Sequence, residues 1–132
     1  MLDDEKRALS LYRVDKAKEC IKSAEILYES GHFTDAANRA YYAIFHSARA
    51  VLAIDGVDRK KHSGVIAYFQ QNYIKTGVID KSYSYILQKA FRIRQESDYE
   101  DFYIISKEEV KQQMDDAKRF VAVIERYLSE VL

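Results

Sequence analysis

Apolar residues recur along this chain at alternating steps of three and four, the period of an α-helix that buries one stripe. The cleanest run lies near the C-terminal end, where Val110, Met114, Ala117, Val121, Ile124, Leu128 and Val131 trace a single seam. Ser106 and Glu109 stand just ahead of it as a capping box, each side chain placed to accept from the other's backbone N–H, so the last helix is predicted to begin there. Near the other end, Leu9, Arg13, Ala17, Cys20, Ala24 and Leu27 share one face of a helix expected from Asp4 to Ser30, with Gly31 as its C-cap. Thr34 is placed to cap a second helix reaching Asp55. One of its faces carries Ala37, Tyr41, Ile44, Ala48 and Leu52, and the opposite one Arg39, Tyr42, Ala43, His46 and Ala50. A helix with few charges on either face is expected to be covered on both. Ser63 opens a short third helix ending near Ile74. A fourth, from Asp80 to Glu96, turns Tyr83, Ile86, Leu87, Ala90 and Phe91 inward.

Composition sharpens this pattern into a fold class. Proline is absent and the four glycines fall at positions 31, 56, 64 and 77, so only the glycines punctuate the helical runs. The expectation is an all-α bundle of about five helices, with residues 1–132 forming one domain long enough to bury a core. Eleven tyrosines add amphipathic surface for packing or pairing. Basic and acidic residues balance at 21 each, which argues against a general nucleic-acid or membrane-surface binder and leaves room only for a local site. With one cysteine, Cys20, there is no internal disulfide, which fits a reducing, cytoplasmic setting. No apolar run approaches the roughly 18 residues of a bilayer span. The opening MLDDEKRALS has no signal-peptide apolar region, so a soluble intracellular protein is expected.

The candidate chemistry concentrates in FRIRQESDYEDFY, Phe91 to Tyr103. Continuing the fourth helix's inward stripe by one turn lands on Arg94, a cation that cannot shed its charge and must be met by carboxylates or an anionic ligand. Glu96, Asp98, Glu100 and Asp101 are near enough to make this a salt-bridge knot. The alternative is an anion or phosphodiester site built from Arg94 with Asp98, Tyr99 and Tyr103. Arg39, Tyr42 and His46 form a second stripe, and His46 is a candidate acid or base near neutral pH. Lys60, Lys61 and His62, at the start of the third helix, form either a solvated loop or a phosphate-binding corner. The three histidines lie in separate elements and no phosphate-cradling glycine loop exists, so neither a metal nor a cofactor is expected.

The strings NRAYYAIFHSARAVLAIDG (Asn38 to Gly56), KKHSGVIAYF (Lys60 to Phe69) and RIRQESDYEDFYIISKEE (Arg92 to Glu109) together resemble a small stand-alone HEPN-domain protein. The resemblance implies a dimeric bundle that works with a minimal nucleotidyltransferase partner, often as toxin and antitoxin, and in many members a metal-independent ribonuclease. The family's ribonuclease signature is an arginine followed after four to six residues by a histidine, often with a tyrosine two residues on. Arg94 matches the arginine, but the histidine position falls on Tyr99 and the tyrosine position on Asp101, and no histidine follows His62. An ordinary tyrosine, with a pKa near 10, replaces that histidine poorly at neutral pH. The resemblance therefore implies a homodimer, joined through the second or fourth helix together with the Arg94 to Tyr103 region. It would bind a nucleotide, an RNA phosphate or the nucleotidyltransferase through Arg94, Tyr99 and the His62 loop. The alternative is a residual ribonuclease in which Tyr99 or His46 assists Arg94. By analogy, Tyr99 and Tyr103 are tyrosines that a nucleotidyltransferase could modify.

Overall fold

The structure, a computed structural model, describes residues 3–101 and 103–132; Met1, Leu2 and Phe102, part of the expected link into the last helix, lie outside the described residues. It is all-α. Five α-helices follow one another among the described residues: α1 (Asp4–Glu29), α2 (Phe33–Ile54), α3 (His62–Phe69), α4 (Ser82–Tyr99) and α5 (Lys107–Val131). α2 is the axis of the bundle and packs against all four others. Its seven alanines at 36, 37, 40, 43, 48, 50 and 53 are each no more than 3% exposed, and such small side chains let neighbouring helices approach closely. Tyr41, Phe69, Leu87, Phe120 and Ile124 fill the interior that α2 shares with α3, α4 and α5.

The turn between α1 and α2 is tighter than the sequence pattern suggests. Gly31, at φ 80°, donates to the Tyr28 carbonyl, and His32 donates to the Leu27 carbonyl, which is the doubly bonded Schellman closure. That closure leaves His32, not Thr34, at the N-cap of α2, and Thr34 sits exposed in the first turn. The buried face of α1 is also shifted from the expected one. Leu9 is 42% exposed, whereas Ser10 and Val14 are buried. Two polar contacts set this rotation: the Ser10 hydroxyl donates to the Ala50 carbonyl at 2.8 Å, and Arg13 Nη1 donates to the Arg49 carbonyl at 2.9 Å.

α3 begins at His62 with Lys61 as N-cap, one residue ahead of the expected Ser63. It continues into a π turn, Gln70–Ile74, closed by Lys75 N–H donating to the Gln70 carbonyl. The wider turn delivers Tyr73 into the core, 5% exposed, where its hydroxyl donates to Asp55 at 2.6 Å. Tyr68, further out, donates to the same carboxylate at 2.9 Å. α4 starts two residues later than expected and runs through Tyr99, past the predicted stop at Glu96. α5 agrees with its pattern: Ser106 and Glu109 form the capping box, and the seam from Val110 to Leu128 is buried, with only Val131 left 43% exposed.

Asp55 thus ties the end of α2 to the π turn, and its two bonds should differ in weight. A hydrogen bond to a charged group is worth about 1.5–3 kcal/mol when sheltered from water. Tyr73→Phe is expected to lower the unfolding free energy in urea by about that amount, and Tyr68→Phe, whose bond is exposed, by less than about 1 kcal/mol. A larger loss from Tyr68→Phe would contradict the burial argument.

Candidate functional site

Three elements converge on one turn of α2. Tyr41, Tyr42 and Phe45 rise from that turn, α3 contributes its first residue, His62, and α4 delivers Arg94. The His62 ring stacks on Phe45 with centroids 4.0 Å apart, and its Nδ1 is hydrogen-bonded to the Tyr41 hydroxyl at 2.8 Å. Tyr42 meets the same imidazole edge-on at 5.8 Å. The Arg94 guanidinium lies over the Tyr41 ring at 5.4 Å and near the Tyr42 ring at 5.9 Å. Its Nε is 3.6 Å from Asp98 Oδ2, too long for a hydrogen bond, and is buried with no acceptor.

Magnitudes decide what holds Arg94. A partly exposed i,i+4 ion pair contributes roughly 0.3–0.5 kcal/mol, whereas a cation over an aromatic face contributes about 0.5–2 kcal/mol, more as water is excluded. Two tyrosine faces therefore outweigh Asp98. Arg94 is held mainly by rings, with Asp98 as a loose ion-pair partner, and a guanidinium held in this way suits an anion. Burial opposes its charge, but Tyr42, Tyr41 and Asp98 favour it more strongly and raise its pKa. His62 goes the other way. Burial first, then Arg94 and Arg49, lower its pKa, so the ring is neutral at pH 7. Burial also raises the Tyr41 pKa, which keeps that hydroxyl protonated. With Nδ1 engaged by Tyr41, Nε2 of His62 has no partner among the described residues.

The other predicted residues are distributed around this cluster. Asp98 lies one turn from Arg94 on its edge. Tyr99 is 80% exposed and lies five residues beyond Arg94, on a different face of α4. Tyr103 is partly buried in the connection to α5, which raises its pKa. Lys61 is exposed beside His62 and pairs with no carboxylate among the described residues. Arg39 stacks over Tyr42 at 4.9 Å, and His46 lies 5.8 Å from the same ring, both on the side of Tyr42 that faces α1. Glu96 pairs loosely with Arg92 at 4.0 Å. Cys20 is buried, and its thiol pKa is raised by that burial. Among the described residues no group of three or more histidine, cysteine or acidic side chains is placed to hold a metal, and no helix is long and apolar enough to cross a membrane.

The contribution of Tyr41 escapes sequence reasoning, which assigns it to the core face of α2. It is indeed 1% exposed, yet its hydroxyl reaches His62 and its ring carries Arg94. Nor does spacing pair His62 with Arg94, since 32 positions separate them. The usable signal is the histidine at the start of α3, together with the adjacent tyrosines on the covered central helix.

The five-helix, strand-free bundle of the described residues agrees with the fold that the resemblance to the HEPN domain implies. The chain matches that domain over residues 10–127 and belongs to the HEPN family. It is 37% identical to the protein named "Putative toxin MJ0605" of Methanocaldococcus jannaschii, over 90% of this chain and 88% of that one. It is 31% identical to a UPF0332 protein of Thermotoga maritima over 97% of both chains, and 31% identical to "Putative toxin MJ0142" of Methanocaldococcus jannaschii over 87% of this chain and 78% of that one.

His46 makes a pH test of this region. Burial, followed by Arg49, Lys16, Arg39 and Arg13, pulls its pKa from 6.5 down to about 4. A folded-state pKa below the unfolded one means that the unfolded chain takes the proton first as pH falls. The stabilisation is therefore complete above pH 6.5 and lost as pH drops towards 4. At 1.36 kcal/mol per unit, the loss amounts to about 3 kcal/mol. Between pH 7 and pH 4 the unprotonated wild type should lose up to about 3 kcal/mol more unfolding free energy than His46→Gln, measured by urea denaturation at each pH.

Proposed function

We propose that this HEPN-family chain is a toxin-like binding module that receives a phosphate group, of an RNA or a nucleotide, at Arg94. The observation that carries the reading is the Arg94 guanidinium held against two tyrosine rings, with Asp98 paired only loosely at 3.6 Å from Nε. An arginine fixed in this way presents paired N–H groups to phosphate oxygens at little cost in side-chain entropy. Lys61 and His62 flank the same corner and add a cation and a neutral imidazole. The names of the two archaeal relatives support the toxin-like part of the reading. In this reading the protein works in the cytoplasm as a homodimer, with a minimal nucleotidyltransferase as its partner.

A second reading, a metal-independent ribonuclease, is favoured by one specific observation. His62 lies against the same Tyr41 ring as Arg94, with ring centroids 5.8 Å apart, which supports His62 as a stand-in for the histidine that the sequence lacks after Arg94. In that chemistry Arg94 holds the phosphodiester while His62 exchanges a proton through Nε2. The 2′-hydroxyl attacks phosphorus and the 5′-oxygen leaves with a proton. Tyr99, far out on α4, and His46, on the other side of Tyr42, are placed less well for this role than His62.

Both readings are separated by one set of measurements on purified protein in EDTA, with single-stranded RNA and variants whose folding has been checked by thermal melting. The binding module predicts that the wild type binds RNA without cutting it and that Arg94→Ala weakens binding at least about tenfold, the effect of losing a charged hydrogen-bond pair. Cleavage by the wild type that disappears in both Arg94→Ala and His62→Gln would put the ribonuclease first. Undiminished binding by Arg94→Ala would overturn the phosphate site.

A further inference from the structure

Tyr42 touches Arg39 and His46 as well as Arg94. The bonds Ser10 to Ala50 and Arg13 to Arg49 set α1 and α2 antiparallel in a register that lays Lys16 alongside His46. On α2, Arg39, Tyr42, His46 and Arg49 follow steps of three, four and three, so they line one ridge about 15 Å long at 1.5 Å per residue. Four cations therefore gather around His46: Arg13 and Lys16 from α1, Arg39 and Arg49 from α2. Each of them lowers its affinity for a proton. In a chain whose charges balance overall, this is a local excess.

Its counter-charges are sparse. Among the described residues no carboxylate lies within 4.0 Å of Arg13, Lys16 or Arg39, and Arg49 meets only Asp58, at 3.6 Å, whose side chain is 75% exposed. Glu19, one turn from Lys16, makes no such pair. Arg39 is nevertheless well fixed. Its guanidinium stacks on Tyr42 at 4.9 Å while Nη2 donates to Asn38 Oδ1 at 2.9 Å. His46 Nδ1 is buried and has no partner. A fixed arginine, an exposed lysine without a carboxylate partner among the described residues, and an aromatic face match the needs of a phosphate chain, whose charges repeat every few ångströms and whose attached rings, where it has them, stack.

We infer that Lys16 and Arg39, beside His46 on the α1–α2 face, form a second phosphate-binding site, next to Arg94 across the shared Tyr42 side chain. A ligand that spans both sites carries at least two phosphates. That spanning rests on the reading of Arg94 above; the Lys16–Arg39 site stands without it. The required chemistry is a phosphate chain, and it is met either by a free polyphosphate or by the backbone of a short single strand.

Titration calorimetry with inorganic tripolyphosphate and with a single-stranded tetranucleotide tests this. The probes would be run against the wild type, Arg94→Ala and the double variant Lys16→Ala/Arg39→Ala, all matched by thermal melting. The expected result is at least tenfold weaker binding by the double variant, at fixed salt and with a shallower salt dependence. Loss with both probes assigns the site to phosphate alone, and loss with the tetranucleotide only assigns it to a nucleic-acid backbone. Unchanged affinity in the double variant, with loss only in Arg94→Ala, would overturn the second site and leave the first standing. Loss in the double variant with none in Arg94→Ala would keep the second site and remove the first. No binding of either probe by the wild type would overturn the inference.

Discussion

The molecule depends on one constraint: α2 has almost no face that it can leave in water. Thirteen of its residues, from Ala36 to Ala53, are buried, so α1, α3, α4 and α5 must close around it. The alanines among them allow close helix approach, and Tyr41 and Phe45 fill the wider gaps. The polar groups that α2 does carry are consequently exceptional, and nearly all are arranged. Ser47 donates to the Ile44 carbonyl, Tyr41 meets His62, and Arg39, His46 and Arg49 lie in one line along the edge facing α1.

Arg94 shows how that constraint becomes chemistry. An arginine at an inward position on α4 meets the tyrosines of α2 before it meets any acid. Aromatic faces hold a guanidinium without cancelling its charge, whereas a carboxylate at hydrogen-bond distance would hold it and cancel it. The same turn of α2 positions His62 through the stack on Phe45 and the hydroxyl of Tyr41. Tyr42 also bears Arg39, so a single aromatic side chain touches both arginines.

Much of the fold was legible in local pattern. The α5 seam and its capping box are set by residues three and four apart, and such contacts form within one helix whatever surrounds it. Gly31 ended α1 as its position implied, since a positive φ there is strained for other residues. The misses have separate causes. Thr34 lost its capping role because the Schellman closure of α1 had already turned the chain. The face of α1 rotated because Ser10 and Arg13 found carbonyls on α2. α4 outran Glu96 because no glycine or proline stops it before Tyr99.

The candidate site divides in the same way. Composition and periodicity by themselves determined an all-helical bundle, an arginine at an inward position near the end of α4, and a stripe of Arg39, Tyr42 and His46, because each depends on neighbours within a turn or two. Only the tertiary structure decided that Arg94 rests on Tyr41 and Tyr42, that His62 rather than Tyr99 or His46 shares that ring, and that Lys16 comes alongside His46. Those pairings span tens of residues, and they are fixed by how α1, α3 and α4 fit against a helix that must be covered on every side, which no local spacing records.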